Sequence, residues 1–403
     1  MDITKIWEQL ALDEGGKIIY LILDGLGGIQ NPETGMTELQ TAKKPNLDAL
    51  AKKASCGLLD IVGPGITPGS GPGHMALFGY NPLEYNIGRG IFSALGIDFT
   101  LHEGDVAARF NFCTLNEKGL IVDRRAGRLS TERNETLCEK LRQGLNFEGV
   151  ECFILTESEH RGVLIFRGKG LGGAVSDTDP SLTAHPPLQP AALDAESEKT
   201  VRLVTKFLGH AKDVLKSEKD ANMVLLRGFE RFHPAKGLKE RFLLSGLCIA
   251  EYPMYKGVSR FLKMDVINST GGIKGLFKNL KAHFTSAHNF YFVHVKYTDK
   301  AGEDGNFEKK VKVIEEVDGY IPEILSLNPD VLVVTGDHST PAVMGLHSWH
   351  PVPVLLSAKN ARSDRVDTFD EVACIQGGLG LRAATDLMGL SMAHAGRLKK
   401  FGA

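Results

Sequence analysis

The chain has 403 residues, enough for two ordinary domains or for one core that carries a large insertion. Hydrophobic residues make up 42% and charged residues 24%, a balance typical of globular proteins that argues against a disordered or fibrous chain. The formal net charge of −2 does not favour a nucleic-acid-binding protein, which would carry a basic excess.

The chain begins MDITKIWEQL, without the basic and apolar regions of a secretory signal. No run approaches the roughly 18 apolar residues that a membrane-spanning helix requires. The six cysteines are scattered without a CxxC pair, which is typical of reduced, packing residues. A cytoplasmic protein that contacts neither membrane nor nucleic acid is therefore expected.

The first predicted strand lies at 17–25, KIIYLILDG, where a short apolar run ends in an acid and a glycine. Such a run is typical of a parallel strand buried on both faces. Three later segments repeat the pattern, at 289–299, 330–340 and 351–358. Helices are predicted between the strands at 44–55 and 306–325, the second from the helical spacing of Val311, Ile314, Val317 and Ile321. This alternation predicts an α/β fold with a largely parallel sheet.

The middle of the chain has a different pattern. From 101 to 244 the predicted strands are shorter, arginines cluster, and breaks rich in glycine or proline interrupt the alternation. We therefore predict a smaller α+β domain at 101–244, inserted into a discontinuous core formed by 1–100 and 245–403.

Side chains that can ligate metals follow several predicted strands. Ligands of open α/β sheets bind at the carboxyl ends of strands, so these side chains should lie together. An isolated pair such as Asp337–His338 is more often structural, but the convergence of several strand ends favours a metal site. Carboxylates with imidazoles suit Mn²⁺, Zn²⁺ or Mg²⁺, and two ions about 4 Å apart can hold a phosphoryl group in transfer. The candidates are Asp24, Asp299, Glu303, Asp337, His338 and His347.

The loop ITPGSGPGHM places Ser70 among glycines that permit close approach of an anion. By itself the loop is more often a turn with a solvent-facing serine. Beside a metal site, Ser70 would instead be a metal ligand and a nucleophile, because metal coordination activates a hydroxyl at neutral pH. His74 would orient a phosphate or cap the following helix.

Six motifs occur in order: LDG, GSGPGHMALFGYNP, GRGIFSALG, HVKYTDKAGEDG, TGDHSTP and HSWHPVPVLL. Together they resemble the archaeal-type cofactor-independent phosphoglycerate mutases of the alkaline phosphatase superfamily, over nearly the full chain. The resemblance implies an alkaline-phosphatase-like three-layer core and a binuclear site. One ion would be held by Asp24, Ser70, Asp337 and His338, and the other by Asp299, position 303 and His347.

The resemblance also implies the reaction. Ser70 would accept the phosphoryl group of 3-phosphoglycerate, and the glycerate would reorient and take it back as 2-phosphoglycerate, without 2,3-bisphosphoglycerate. The inserted domain would hold the substrate and exclude water, since access of water would make the enzyme a phosphatase. The arginine-bearing motifs supply the substrate-binding candidates, with a solvated basic face as the alternative for each. Motif matching favours Arg128, His160, Arg161, Arg227 and Lys256 over Arg124 and Arg125, and VSDTDP adds Asp177 and Asp179.

The sequence departs from the family pattern at Glu303, where histidine is expected. A carboxylate there predicts a preference for Mn²⁺ or Mg²⁺ over Zn²⁺. Mn²⁺ is the expected ion of the pair, with Mg²⁺, Co²⁺ or Zn²⁺ as alternatives. Alternatively Glu303 lies off the metal and His350 replaces it. His294 is interpreted as a core histidine, and Lys296 as a contact of a phosphate or of a metal-ligating carboxylate.

Three functions are compatible with these residues. The first is a phosphoglycerate mutase of glycolysis and gluconeogenesis that acts on a small phosphorylated hydroxy acid. The second is a metal-dependent phosphomonoesterase or phosphodiesterase with the same Ser70. The third is a paralogue that has lost catalysis, supported only by Glu303.

Overall fold

The computed structural model describes residues 3–402. Its helices and strands follow one another in chain order, apart from two short 3₁₀ turns at Ala126–Arg128 and Ala195–Ser197. They are α1 (Ile3–Leu10), β1 (Ile18–Leu23), α2 (Glu38–Thr41), α3 (Pro45–Ala51), β2 (Ser55–Asp60), α4 (Ser70–Leu77), α5 (Arg89–Gly96), β3 (Val106–Leu115), β4 (Ile121–Asp123), α6 (Thr131–Arg142), β5 (Glu151–Ser158), β6 (Arg161–Arg167), α7 (Glu198–Leu215), β7 (Met223–Arg231), α8 (Leu238–Phe242), β8 (Gly246–Ala250), α9 (Pro253–Phe261), β9 (Asp265–Asn268), α10 (Gly272–His283), β10 (Phe290–Val295), α11 (Tyr297–Glu303), α12 (Phe307–Asp318), α13 (Ile321–Ser326), β11 (Val331–Thr335), β12 (Val352–Ala358), α14 (Glu371–Cys374), β13 (Gly380–Ala383) and α15 (Asp386–His394).

The chain divides into two compact units. The first comprises the described residues up to Asn86, Lys236–Tyr252 and the described residues from Leu262 onward. The second comprises Ile87–Ala235 and Pro253–Phe261. Compared with the predicted 101–244, the main segment of the second unit starts earlier, at Ile87, and ends earlier, at Ala235, and the unit also includes α9. Helix α9 belongs there because Phe261 packs against Phe92 of α5, with ring centroids 5.7 Å apart.

The first unit contains an eight-stranded sheet in the order β13-β2-β12-β11-β1-β10-β8-β9. The strand pairs are parallel except at β12, which runs antiparallel to both β11 and β2. The predicted α/β fold with a largely parallel sheet is confirmed. The segment 351–358 was expected to be a further strand of the parallel type, and this was wrong, since β12 runs antiparallel to its neighbours. The pattern of side chains along a strand does not encode its direction.

The central strands are apolar because helices and neighbouring strands leave no face of them in water. All six residues of β1 are buried, as are all six of β10. Burial of this kind stabilises the fold by about 25 cal/mol for each Å² of apolar surface removed from water. These strands therefore form a rigid base for the loops that follow their carboxyl ends.

Two predicted helices are shorter in the structure. The predicted helix at 44–55 ends at Ala51, since Ser55–Asp60 forms strand β2. The predicted helix at 306–325 is two helices, α12 and α13, separated at Gly319 and Tyr320. Pro322 accounts for the break, because its ring and missing N–H are tolerated only in the first turn of a new helix.

The second unit is an α+β structure with an antiparallel sheet in which β3 pairs with both β6 and β7. Strand β5 extends the sheet beside β6, and β4 pairs with the end of β3. The expectation of shorter strands in this region was wrong, since β3 has ten residues and β7 has nine. One face of β3 buries Ala108, Phe110 and Phe112 in the unit's core. The other face carries Arg109 and Asn111, because side chains alternate along a strand.

Within residues 3–402, no helix combines the length and apolar character needed to cross a membrane.

Candidate metal centre and active site

Five of the predicted ligands converge at the carboxyl edge of the parallel sheet. Asp24 follows β1, Asp337 and His338 follow β11, and Asp299 lies on α11. The Nε2 atom of His338 lies 3.2 Å from an Asp24 oxygen, 3.3 Å from an Asp337 oxygen and 4.0 Å from an Asp299 oxygen. The Nε2 atom of His347 lies 3.5 Å from Asp299 Oδ1. The three carboxylates and His338 are buried.

Two glycines make this convergence possible. Gly25 has a φ of 63°, and a Cβ there would lie 2.4 Å from Thr340 Oγ1 and 2.9 Å from Asp299 Oδ1. Its backbone N–H donates to Asp337 Oδ1 at 3.2 Å. A Cβ on Gly73 would lie 2.3 Å from the carbonyl oxygen of Asp337. Glycine at these positions therefore lets the turn after β1 and helix α4 approach the end of β11.

Hydrogen bonds fix the orientation of both imidazoles. The Thr340 hydroxyl donates to Asp299 Oδ1 at 2.7 Å, so its oxygen accepts from Nδ1 of His338 at 2.9 Å. Nδ1 of His347 donates to the carbonyl of Pro68 at 3.0 Å, since a carbonyl can only accept. The two rings stack with centroids 3.7 Å apart. In each histidine Nε2 is therefore the nitrogen that faces the carboxylates, as metal ligands require.

Ser70 is the first residue of α4, and its Oγ lies 3.2 Å from His338 Nε2. The hydroxyl is thus beside the carboxylate and imidazole cluster rather than at the tip of a solvent-exposed turn, and the residue is buried. The amino end of a helix also carries unpaired N–H groups and a partial positive charge, which stabilise an anion bonded to its first residue.

The charges of the cluster shift the pKa values of its members. Burial would raise the pKa of Asp24, but Lys296 and the hydrogen bonds from His294 and His338 hold it well below its ordinary value. Burial would lower the pKa of His338, but Asp337, Asp24 and Asp299 raise it to about 9. A proton and a metal ion therefore compete for His338 Nε2.

Three neighbours surround the cluster. Lys296 Nζ lies 3.0 Å from Asp24 Oδ2 and 2.5 Å from Asp299 Oδ2. Of the two contacts predicted for Lys296, a phosphate or a metal-ligating carboxylate, the structure shows the carboxylate. His294 is buried, as a core histidine would be, but its Nε2 lies 3.3 Å from Asp24 Oδ2. His74 is buried with Nδ1 2.7 Å from the Ser70 carbonyl oxygen and 3.2 Å from Asp337 Oδ2. His74 thus supports Asp337, and its contact with substrate stays a prediction.

Glu303 and His350 were the two candidates for the metal ligand that the family pattern expects to be a histidine at position 303. Oε1 of Glu303 lies 3.9 Å from His347 Nε2, and its side chain is half exposed. The His350 ring stacks on Trp349, and its Nδ1 lies 3.0 Å from Ser348 Oγ. Of the two, Glu303 is the one with a described contact to the cluster.

The donor atoms fit divalent metal ions. Asp24, Asp337 and His338 present ligand atoms within 4.8 Å of one another, and so do Asp299, His338 and His347. Oxygen and imidazole ligands together suit Mn²⁺, Zn²⁺ and related ions. Three carboxylates so close to one another in the protein interior also require cations to offset their mutual repulsion.

The second unit carries a cluster of arginines around Arg109 on β3. Arg109 is buried and is paired in register with Arg227 on β7. Burial, together with Arg109 and Arg89, lowers the pKa of Arg227 to about 9. Opposed like charges destabilise a strand pair. The cluster is therefore suited to an anion.

Two of the predicted substrate-binding residues, His160 and Arg227, interact electrostatically with Arg109, and Arg128 and Arg161 interact with His160. Burial, and after it the charges of Arg161, Arg125, Arg109 and Arg128, lower the pKa of His160 to about 3. Arg124 pairs with Asp179 through two hydrogen bonds of 2.9 and 2.7 Å. Asp177 Oδ1 accepts from the Gly228 backbone N–H at 2.8 Å. Lys256 lies on α9, which packs against α5.

Sequence reasoning missed four residues that contact or extend these clusters. An arginine within the largely apolar strand VAARFNFCTL was a signal for Arg109, and the motif GRGIFSALG contains Arg89. Thr340 in TGDHST and Pro68 before the serine loop act through a hydroxyl and a backbone carbonyl. Neither type of contact leaves a distinctive pattern in sequence.

The parallel sheet, with a serine and two groups of metal-ligating side chains at its carboxyl edge, defines an α/β protein with a candidate binuclear metal centre. The family model for 2,3-bisphosphoglycerate-independent phosphoglycerate mutase matches residues 51–220. The chain is 47% identical to a probable enzyme of that name from Thermus thermophilus and 46% identical to one from Thermotoga maritima, and each comparison covers all of both chains. The chain belongs to the 2,3-bisphosphoglycerate-independent phosphoglycerate mutase family, which confirms the resemblance and the class of isomerase.

Solved structures agree with this assignment. A protein from Pyrococcus horikoshii superposes with a TM-score of 0.83 at 28% identity, covering 96% of this chain and 100% of that one. The cofactor-independent phosphoglycerate mutase from Thermoplasma acidophilum gives a TM-score of 0.67 at 29% identity, covering 94% and 100%.

Proposed function

We propose that this chain interconverts 3-phosphoglycerate and 2-phosphoglycerate through a phosphoserine on Ser70. The observation that carries the proposal is the position of Ser70 Oγ, 3.2 Å from His338 Nε2 and at the start of a helix. Relatives that align over the whole chain bear the name of this activity. The pathway role in glycolysis and gluconeogenesis, the cytoplasmic location and the independence from 2,3-bisphosphoglycerate belong to the same proposal.

Two divalent metal ions would be held by the strand-end residues. Asp24, Ser70, Asp337 and His338 would hold one, and Asp299, Glu303 and His347 the other. When bound, the ions would supply Lewis acidity that lowers the pKa of a coordinated hydroxyl and neutralises phosphoryl oxygens. The orientation of both Nε2 atoms and the proximity of the carboxylates support this assignment.

The reaction consists of two phosphoryl transfers, the first to Ser70 and the second back to the glycerate. Ser70 Oγ loses its proton and bonds to phosphorus, while the bond from phosphorus to the glycerate oxygen breaks and that oxygen takes up a proton. The bound glycerate then presents its other hydroxyl, which loses its proton and attacks the phosphoserine, and Ser70 regains its hydroxyl. The N–H groups at the start of α4 stabilise the phosphate on Ser70.

The arginine cluster of the second unit is proposed to bind the anionic groups of phosphoglycerate. Guanidinium groups match carboxylate and phosphate oxygens two at a time. The predicted contacts Arg128, His160, Arg161, Arg227 and Lys256 are retained in this proposal, and Arg89 and Arg109 are added because they shift the pKa of Arg227. Asp179 holds Arg124 in a defined orientation.

Glu303 is proposed to replace the expected histidine ligand, which favours Mn²⁺ or Mg²⁺ over Zn²⁺. Its contact with His347 supports this choice over His350. Activity of the metal-free protein after addition of each ion tests the preference. Highest activity with Zn²⁺ would contradict it.

The function is tested with Mn²⁺ and 3-phosphoglycerate, in the absence of 2,3-bisphosphoglycerate, by following 2-phosphoglycerate and free phosphate together. Formation of 2-phosphoglycerate without free phosphate is expected. Free phosphate as the main product would identify the phosphatase alternative, and no reaction would support the inactive paralogue. Ser70→Ala should abolish both the isomerisation and the phosphate that can be trapped on the protein, whereas wild type retains both.

A further inference from the structure

Lys310 on α12 is a lysine with no exposure to solvent. Its Nζ donates to the carbonyl oxygen of Gly27 at 3.0 Å and to that of Thr340 at 2.8 Å. Oε1 of Glu38 lies 3.8 Å away. Burial of an ammonium is costly unless its charge and its hydrogen-bond donors are satisfied. Here they are satisfied by two backbone carbonyls and a buried carboxylate.

Two glutamates near Lys310 also bind the backbone of the same two loops. Glu38 Oε1 accepts from the backbone N–H of Ala342 at 2.7 Å. Glu371 Oε1 accepts from the backbone N–H of Gly28 at 2.8 Å. Both glutamates also oppose the effect of burial, which lowers the pKa of Lys310. We call Lys310, Glu38 and Glu371 the buried clamp.

The two loops that the clamp joins carry the proposed metal ligands. Gly27 and Gly28 follow Asp24 in the turn after β1. Thr340 and Ala342 follow His338 in the loop after β11. Thr340 in turn fixes His338 through its hydroxyl, with an oxygen to Nδ1 distance of 2.9 Å. Lys310 thus bonds directly to the backbone of both ligand-bearing loops.

We propose that Lys310 is a positioning residue for the metal centre. Its hydrogen bonds hold the Asp24 loop and the His338 loop at the spacing that binds metal. This inference rests on the proposed two-metal function. Among residues 3–402, the hydrogen bonds of Lys310 Nζ go to backbone carbonyls and not to the side chain of a proposed ligand, so it acts through the backbone of Gly27 and Thr340. An apolar side chain would fill the same volume in the core but would take the Lys310 donor from both carbonyls, and the Gly27 carbonyl would keep only the backbone N–H of Thr340, at 3.0 Å.

The test is the dissociation constant of Mn²⁺ from the metal-stripped protein, measured by calorimetry for wild type and Lys310→Met. Residues behind metal ligands typically contribute about 10–100-fold to metal affinity, and an increase of that size in Kd is expected. Lys309→Met is the matched control, because Lys309 is the exposed neighbour on the same helix. It should bind Mn²⁺ as wild type does.

A second control separates positioning from general stability. Ile314 is buried on α12 one turn beyond Lys310, and Ile314→Ala should lower the thermal midpoint while leaving the Kd for Mn²⁺ unchanged. If Ile314→Ala weakens Mn²⁺ binding as much as Lys310→Met, the effect is one of stability and the inference is overturned.

Lys310→Met leaves Glu38 buried without its cation and risks loss of folding. The double variant Lys310→Met with Glu38→Gln removes both charges, and the amide oxygen can still accept from Ala342. It should fold and still bind Mn²⁺ weakly, because the carbonyls of Gly27 and Thr340 no longer receive the hydrogen bonds of Lys310. Binding at wild-type affinity would overturn the inference.

The outcomes also separate this inference from the proposed function. Wild type that binds Mn²⁺ but does not isomerise would contradict the mutase, while the Kd series would still decide the role of Lys310. Wild type that binds no Mn²⁺ would overturn both the metal centre and the positioning role.

Discussion

The strand-end cluster of the first unit and the arginine cluster of the second unit are two concentrations of like charge in sheltered surroundings. The first gathers Asp24, Asp299 and Asp337, and the second is centred on Arg109 and Arg227. The proximity of like charges shifts pKa values in opposite directions in the two clusters. The carboxylates raise the pKa of His338 to about 9 against the effect of burial and so favour its protonation, whereas burial, together with Arg109 and Arg89, lowers the pKa of Arg227 to about 9.

This difference indicates what each cluster binds. Carboxylates and imidazoles exchange a proton for a metal ion at the same lone pairs, so the first cluster is suited to divalent cations. A guanidinium has no lone pair to offer and donates only N–H groups, so the second cluster is suited to oxyanions.

Asp337→Asn should have the largest effect, because it removes a carboxylate that lies within 3.3 Å of His338 Nε2. We expect mutase activity to fall by at least about 10³-fold, together with loss of bound metal. Activity and metal content per chain are the measurements. Asp330→Asn, the same change at the other end of β11, is the control and should keep both. Retention of metal and activity by Asp337→Asn would contradict the assignment of divalent cations to the strand-end cluster.

Thr340→Val should have the next largest effect, because it removes the hydroxyl that bonds both Asp299 and His338. Metal affinity should fall by about 10–100-fold, and Thr340→Ser should restore it. Calorimetric titration with Mn²⁺ is the measurement. Equal affinity in Thr340→Val and Thr340→Ser would show that the hydroxyl does not orient the ligands.

Arg227→Met tests the second cluster. The KM for phosphoglycerate should rise by about 10-fold or more, since a hydrogen bond to a charged group contributes about 1.5–3 kcal/mol. The thermal midpoint of the ligand-free variant should rise, because a desolvated cation is removed from beside Arg89 and Arg109. Steady-state kinetics and thermal unfolding give the two readouts. Arg231→Met, at the end of the same strand, is the control, and an unchanged KM in Arg227→Met would contradict the anion site.

His160→Gln should have the smallest effect on stability, and that effect is read from its pH dependence. The folded pKa of His160, about 3, lies below its ordinary value of 6.5, so between these values the unfolded chain binds a proton that the folded chain does not. Wild-type stability should therefore fall as pH drops through this window, by at most about 1.4 kcal/mol per pH unit from this group. The variant should lack that contribution in denaturant unfolding at several pH values. Parallel pH dependence of the two proteins would show that His160 is protonated in the folded state.

Much of the first unit was predictable because its signals are local. The apolar run of β1 ends in Asp24, and parallel strands present their carboxyl ends at one edge, so the convergence of Asp24, Asp337 and His338 followed from sequence. The buried core pattern also located the starts of β10 and β11 to within one residue. The reversed direction of β12 was not predictable, because an apolar strand has the same pattern in either direction.

The order of the motifs by itself determined the family, and the strand-end residues determined the chemistry of the candidate site. The tertiary structure alone decided which nitrogen of each histidine faces the carboxylates, because the partners are a hydroxyl and a backbone carbonyl from other segments. It alone paired Arg109 with Arg227 and placed Lys310 between two loops far from it in sequence. These contacts depend on backbone atoms and on strand register, which no pattern of side chains in a single sequence records.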